Sequence, residues 1–162
     1  MSNTEDANVR TLEGLPASVQ SFFNGEDLES KTQVIRLTTI DSEGWPQAAL
    51  LTAGDVLVLP DGRIRFAIPM KSGTAANLAR DNRFTFGFAI DGGMCSIRSR
   101  ARKCGEGPEE MPLAFFEAEI ERVRMHFSPG AEVVSGITFT LWEPSAVVNR
   151  WKRQIAALRS VS

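Results

Sequence analysis

Apolar and polar positions alternate with period two over several stretches of this chain, the mark of strands that bury one face. "RFTFGFAI" sets Phe84, Phe86 and Phe88 on one side. "MCSIRSRARK" separates Cys95, Ile97, Ser99 and Ala101 from Ser96, Arg98, Arg100 and Arg102, which predicts a strand with one small or apolar face and one row of arginines. "QVIRLTTID" is β-branched and leads into a turn at Ser42-Glu43-Gly44; "WPQAALLTA" returns beside it, with Pro46 near the strand start where a missing N–H is tolerated. "DVLVLP" and "RIRFAIP" flank Asp61-Gly62, a hairpin signal. "FEAEIERVRMHF" fits a strand, because Val123, Met125 and Phe127 alternate, with a helix as the alternative. "GITFTLWEP" predicts the last strand, stopped by Pro144.

Three segments carry helical spacing instead. "LPASVQSFF" predicts a short helix with Pro16 in its first turn and Val19, Phe22 and Phe23 docked on the core. "SGTAANLARD" predicts two to three turns with Ala76, Leu78 and Ala79 towards the sheet. "SAVVNRWKRQIAALR" predicts a final helix with an apolar stripe of Val147, Val148, Trp151, Ile155 and Leu158. Residues 1–12 are expected as a mobile tail and residues 13–162 as one domain. Six or seven mostly antiparallel strands with few helices make the fold mainly β, and closure into a small barrel would remove exposed strand edges.

Composition narrows the chemistry. A chain of 162 residues that is 43% apolar and 23% charged can bury one sizeable core. A net charge of -2 gives no general attraction to nucleic acid or to an anionic membrane. No apolar run is long enough to span a bilayer, and "MSNTEDANVR" is unlike a secretory leader, so a cytoplasmic location is expected. Cys95 and Cys104 have no paired metal spacing, and no metal site is expected. His126 is the only histidine and tyrosine is absent, so a borrowed cofactor would have to carry any demanding reaction.

The candidate residues each have two readings. Lys71, Ser72 and Thr74 precede the middle helix, where free N–H groups and hydroxyls suit an anion; Ser72 is equally an ordinary N-cap with Lys71 in solvent. Asn77 either holds this loop or is a plain helix residue. Arg36 lies among apolar neighbours, so its guanidinium serves a polar cleft or a surface. Thr38 and Thr39 offer hydroxyls but are also good strand formers. Arg98, Arg100 and Arg102 repel one another unless solvent, an anion, or Glu117, Glu119 and Glu121 answer them. Trp45, Trp142 and Trp151 either wall a ligand pocket or pack, and packing is the reading for Trp142. His126 is expected to be structural or exposed.

The order of "IRLTTIDSEGWPQAA", "GRIRFAIPMKSGTAANLARDNRFTFGF", "CSIRSRARK" and "SGITFTLWEP" before a tryptophan-bearing helix resembles the pyridoxamine 5′-phosphate oxidase-like split β-barrel family, over roughly residues 15–159. The resemblance implies a twofold homodimer with FMN between subunits, although some relatives hold the deazaflavin F420 or haem and some have no known ligand. It implies cofactor contacts from Arg36, Thr38, Thr39, Lys71, Ser72, Thr74, Asn77, Arg98, Arg100 and Trp151. Relatives often carry serine, then lysine two positions on, then asparagine three further; here these are Ser72, Thr74 and Asn77, with threonine where the lysine would stand. It implies an oxidoreductase that passes hydride between the flavin and a small substrate or reduced nicotinamide donor. A non-catalytic flavin- or haem-binding dimer and an F420-dependent reductase are the alternatives.

Overall fold

The computed structural model describes residues 6–162. Eight strands and three α-helices follow in chain order: β1 Val9–Leu12, α1 Ala17–Phe22, β2 Ile35–Ile40, β3 Pro46–Leu51, β4 Val56–Val58, β5 Ile64–Pro69, α2 Gly73–Arg80, β6 Arg83–Ile90, β7 Gly93–Glu106, β8 Leu113–His126 and α3 Pro144–Arg159. All strand pairs are antiparallel, in the order β3-β2-β6-β7-β8-β5-β4, with β1 added to β8. The path ends at β3 and β4, so the sheet is an open one, yet it curls far enough for all strands from β2 to β8 to share one interior.

That interior is aromatic. Phe66 of β5 meets Phe84, Phe86 and Phe116 at ring-centroid distances of 5.1, 5.3 and 5.5 Å. Such contacts add roughly 0.5–1.5 kcal/mol each beyond the area they bury. Val19 and Phe23 of the α1 region close one end, and Leu78 of α2 packs into the same core. A second apolar layer lies on the opposite side of β4, β5 and β8, where α3 sets Val148, Trp151, Ile155 and Leu158 against Leu57, Ala67 and Phe115. Burial on both sides is why β5 is apolar at every position but Arg65 rather than alternating.

One polar group in that second layer is Arg65. It is 4% exposed; its Nη1 donates to the carbonyl of Leu158 (2.9 Å) and its Nε to Glu117 Oε1 (3.2 Å). The guanidinium therefore answers the negative end of α3. Glu117 also pairs with Arg63 and Arg102, at 3.3 and 2.6 Å. At the other side of α3, Gln154 Nε2 donates to the Gly54 carbonyl (2.8 Å) and to Asp55 Oδ1 (2.7 Å). Burial pushes the Asp55 carboxyl above its ordinary range, although bonds from Gln154 and Thr52 and the charge of Arg150 oppose this. Gly54 is required at this point, because a Cβ would run into the Trp151 ring.

Several expectations change. Residues 9–12, placed in a tail, form β1 because Val9–Leu12 finds an open edge along the second half of β8; residues 1–5 lie outside the described residues. The strand count rises to eight for that reason. The alternation in "FEAEIERVRMHF" does mark a strand. "GITFTLWEP" forms no ladder: both edges of β2 are already taken by β3 and β6, leaving only an isolated bridge of Thr138 to Gln33. Trp142, expected to pack in the core or between subunits, is 98% exposed in the chain and has no place in its core. On α2 the buried residues are Thr74, Asn77 and Leu78, while Ala76 and Ala79 face out.

Burial tends to raise the Glu117 carboxyl, but hydrogen bonds from Arg65 and Arg102 and the charges of Arg102 and Arg63 hold it below its usual value. Its folded value thus lies below the unfolded value of about 4.3. The stability it contributes is present above that unfolded value and is lost as pH falls through the folded one. Glu117→Gln is expected to lower stability at neutral pH and to flatten the acid side of the stability curve, read by urea unfolding from about pH 7 to about pH 3; an unchanged acid limb would show that Glu117 is not the titrating group.

Candidate functional site

Strand period and core filling together fix which side chains face away from the phenylalanines. Across β2, β6, β7 and β8 the register aligns Arg36, Gly87, Ser96 and Arg124 in one row, and Thr38, Thr85, Arg98 and Arg122 in the next. A groove of about 440 Å³ lies over these rows, with Arg36, Thr38, Thr85, Gly87, Met94 and Ser96 along its sheet side. Segment 133–137 forms its other wall. That wall is attached by the Val34 N–H, which donates to the Ile137 carbonyl (2.8 Å), while the neighbouring Gln33 is locked to β6, its Nε2 donating to the Ala89 carbonyl (2.9 Å) and its Oε1 accepting from the Ala89 N–H (2.6 Å). Gly136 lets the segment lie this close, since a Cβ there would come 2.5 Å from Gln33 Oε1. A second hollow of about 370 Å³ shares Thr38 and Thr85 with the groove and continues it to Arg98 and Arg100.

Four guanidiniums on this face differ from Arg65, Arg83, Arg100 and Arg102 of the same sheet. Arg100 pairs with Glu121 and Arg102 with Glu117, both at 2.6 Å. Among the described residues, Arg36, Arg98, Arg122 and Arg124 make no ion pair with a carboxylate. The arginine ladder thus divides: a salt-bridged part at Arg100 and Arg102, and a free part at Arg98. Thr38 faces the groove, whereas Thr39 is buried on the opposite side of β2.

The start of α2 is a separate feature. Ser72 Oγ accepts from the Ala75 N–H (3.1 Å) and donates to the Pro69 carbonyl (2.7 Å), which is N-cap geometry. Lys71 is exposed and lies with Ser72 on the rim of a hollow of about 510 Å³. Thr74 is buried on the helix face. Asn77 is 4% exposed, and its Nδ2 donates to Thr39 Oγ1 (3.0 Å) and Gln47 Oε1 (2.8 Å). This joins α2 to β2, the strand that carries Arg36 and Thr38.

The structure therefore brings Arg36, Thr38 and Arg98 onto one face, joins Thr39 to Asn77, and sets Lys71, Ser72 and Thr74 together at the α2 start. Trp151 stands apart from all of these: it is buried, with its ring edge-on to Phe139 at 6.1 Å. Cys95 is buried, and desolvation pushes its thiol up to about 12, so it is no nucleophile. No cluster of three or more His, Cys, Asp or Glu side chains suited to a metal ion occurs among the described residues. No helix among them is long and apolar enough to cross a membrane. Sequence reading set Ser96 on the face of Arg98 but missed Thr85, Arg122 and Arg124 as neighbours of Arg36 and Arg98. The period-two spacing of "ERVRM" held Arg122 and Arg124 on one face, but which strand lay beside them was a matter of long-range register.

The residues present fit a flat polar ring with an anionic tail. Gly87 contributes no side chain to the groove floor, hydroxyls of Thr38, Thr85 and Ser96 line it, and two guanidiniums without a carboxylate stand at Arg36 and Arg98. Guanidinium forks suit phosphate and carbonyl oxygens.

No protein-family profile matches the chain. It is 26% identical over 135 residues to the uncharacterized protein YclD of Bacillus subtilis, covering 81% of this chain and 86% of that one. A putative pyridoxamine 5′-phosphate oxidase from Lactobacillus delbrueckii superposes with a TM-score of 0.53 at 18% identity, over 70% of this chain and 98% of that chain. A conserved hypothetical protein from Mycobacterium tuberculosis does so at 0.51 and 17% identity, over 75% and 88%.

Asn77→Ala removes the donor to Thr39 and Gln47 and is expected to cost about 1–3 kcal/mol in urea unfolding. Ser72→Ala is expected to cost about 1 kcal/mol through the lost cap. A smaller loss for Asn77→Ala than for Ser72→Ala would mean that α2 is not held to β2 by that side chain.

Proposed function

We propose that this protein, whose fold is the split β-barrel of the pyridoxamine 5′-phosphate oxidase-like proteins, is an FMN-dependent oxidoreductase. The observation that supports this best is the groove over β2, β6 and β7, with a side-chain-free floor at Gly87, hydroxyls on its walls, and Arg36 and Arg98 left without carboxylate partners. When bound, the flavin supplies a site that accepts or delivers hydride at N5.

In this reading the chain's own residues bind and orient. Arg36, Thr38 and Arg98 offer hydrogen bonds to ring carbonyls and the ribityl chain. Lys71, Ser72, Thr74 and the free N–H groups at the α2 start hold the phosphate, whose charge the helix field favours. Thr74 stands where relatives carry lysine, so the positive charge comes from Lys71 or from an arginine. Thr39 and Asn77 position α2 against β2, Arg100 is itself held by Glu121, and Trp151 fixes α3. Leu50 and Met94 are 62% and 41% exposed beside the groove, an apolar rim that a second copy would cover in a homodimer. The partner of the reaction is a small substrate or a reduced nicotinamide donor reaching the open side of the groove. The unpaired thiols suit a reducing, cytoplasmic setting.

An FMN titration followed by flavin absorbance and fluorescence tests this. The wild type is expected to bind FMN and to turn over a nicotinamide donor. Arg98→Ala is expected to lose affinity about tenfold or more, the equivalent of at least ~1.4 kcal/mol, with little change in Tm. Ser72→Ala combined with Thr74→Ala is expected to weaken binding as well. A protein that ignores FMN, or that takes haem or F420 in its place, sinks the reading.

A further inference from the structure

The free arginines extend beyond what a flavin ring and a single phosphate need. The register places Arg98 directly opposite Arg122, and Arg124 two residues further along β8 opposite Ser96. Like charges directly across an antiparallel pair destabilise the sheet. Four other strand arginines, Arg65, Arg83, Arg100 and Arg102, each have a carboxylate within 3.2 Å, and Arg10 of β1 stands over the Phe127 ring. The chain leaves Arg98, Arg122 and Arg124 without a carboxylate partner among the described residues, although Glu119 and Glu121 stand on the same strand, β8. Arg124 carries a second sign of the same kind: its Nε is shut off from solvent and has no hydrogen-bond partner. A buried donor left unmade costs free energy that an arriving acceptor would return. A bulge between Arg98 and Ser99 interrupts the β7–β8 ladder at this point, so Arg100 falls opposite Glu119 and bonds Glu121 while Arg98 stays with Arg122.

We infer that Arg98, which lines the hollow continuing the groove, forms an anion subsite with Arg122 and Arg124, set beside it by the β7–β8 register, and that the substrate taken beside the flavin carries a carboxylate or phosphate held there. This rests on the groove being the ligand site. It adds the substrate's chemical class: a small anion rather than a neutral or cationic molecule. Guanidiniums on adjacent strands can receive one oxyanion group from two sides, and its charge removes the repulsion between Arg98 and Arg122.

The probe is inorganic phosphate, exchanged for chloride at fixed ionic strength with FMN present in excess to occupy the α2 start, and read as Tm. A ligand that binds only the folded state raises Tm. Wild-type protein is expected to gain about 2 °C or more at saturating phosphate, the usual scale for a chain of this size. Arg122→Gln combined with Arg124→Gln is expected to lose this gain, and to melt at or above the wild-type Tm in chloride because the repulsion is gone. The Ser72→Ala, Thr74→Ala pair is expected to keep the gain. Should the double variant fail to fold, Arg122→Gln alone gives the same two readings. FMN affinity is measured on every protein. Wild-type FMN binding together with a phosphate gain that persists in the Arg122/Arg124 variant overturns the subsite alone. A phosphate gain that depends on Arg122 and Arg124 in a protein blind to FMN leaves the subsite standing and removes the flavin reading. Loss of dimer in the Arg122/Arg124 variant on sedimentation, with the phosphate gain intact, would assign these arginines to contact with a second copy and overturn the proposal.

Discussion

Everything on the outer face follows from what fills the inner one. Phe66, Phe84, Phe86 and Phe116 occupy the interior of the curled sheet. Because strand side chains alternate, committing Phe84, Phe86 and Phe88 to that interior commits Thr85 and Gly87 to the other face; committing Ile97 and Ser99 does the same for Ser96 and Arg98. A one-residue slip would exchange the aromatic core for arginines, so the outer rows are as firmly set as the core itself. The groove is a by-product of a packing decision made on the opposite side of the sheet.

The two sides of the sheet treat charge differently. Where α3 covers the outer face, Arg65 is buried and fully engaged, by Glu117 and by the carbonyl end of the helix. There an unpaired charge would be costly, and the sequence supplies a carboxylate that three arginines share. Where no helix covers the sheet, Arg36, Arg98, Arg122 and Arg124 are left without a carboxylate. Solvent screens them in part, and the residual repulsion is tolerable on a stable scaffold.

Helix α2 links the two aspects. Its Leu78 belongs to the core, its Asn77 is bonded to β2, and its N-terminus presents Lys71 and Ser72 outwards. The cap reading of Ser72 is the one the geometry shows. Ser72 caps the helix, and the cap uses the Ala75 N–H, leaving earlier N–H groups of the first turn for other partners.

The sequence by itself determined the mainly β architecture, most strand and helix positions, and the split of "MCSIRSRARK" into a buried and a charged face, because these depend on local period and on turn residues such as Gly44 and Gly62, both at positive φ. It also carried the order of segments that points to the split barrel. Tertiary structure alone decided the rest. Val9–Leu12 looked like a tail because a lone four-residue segment has no reason to be a strand until β8 offers an edge. "GITFTLWEP" looked like a strand because its alternation is genuine, but β2 has no edge left to give it. Thr38 and Thr39 are adjacent and chemically alike, yet one lines the groove and the other holds Asn77 inside. Which arginines found carboxylates, and which were set against Arg122 and Arg124, was fixed by a bulge and a register between strands separated by a loop, and hydrogen-bond pairing between distant segments leaves no trace in the local order of residues.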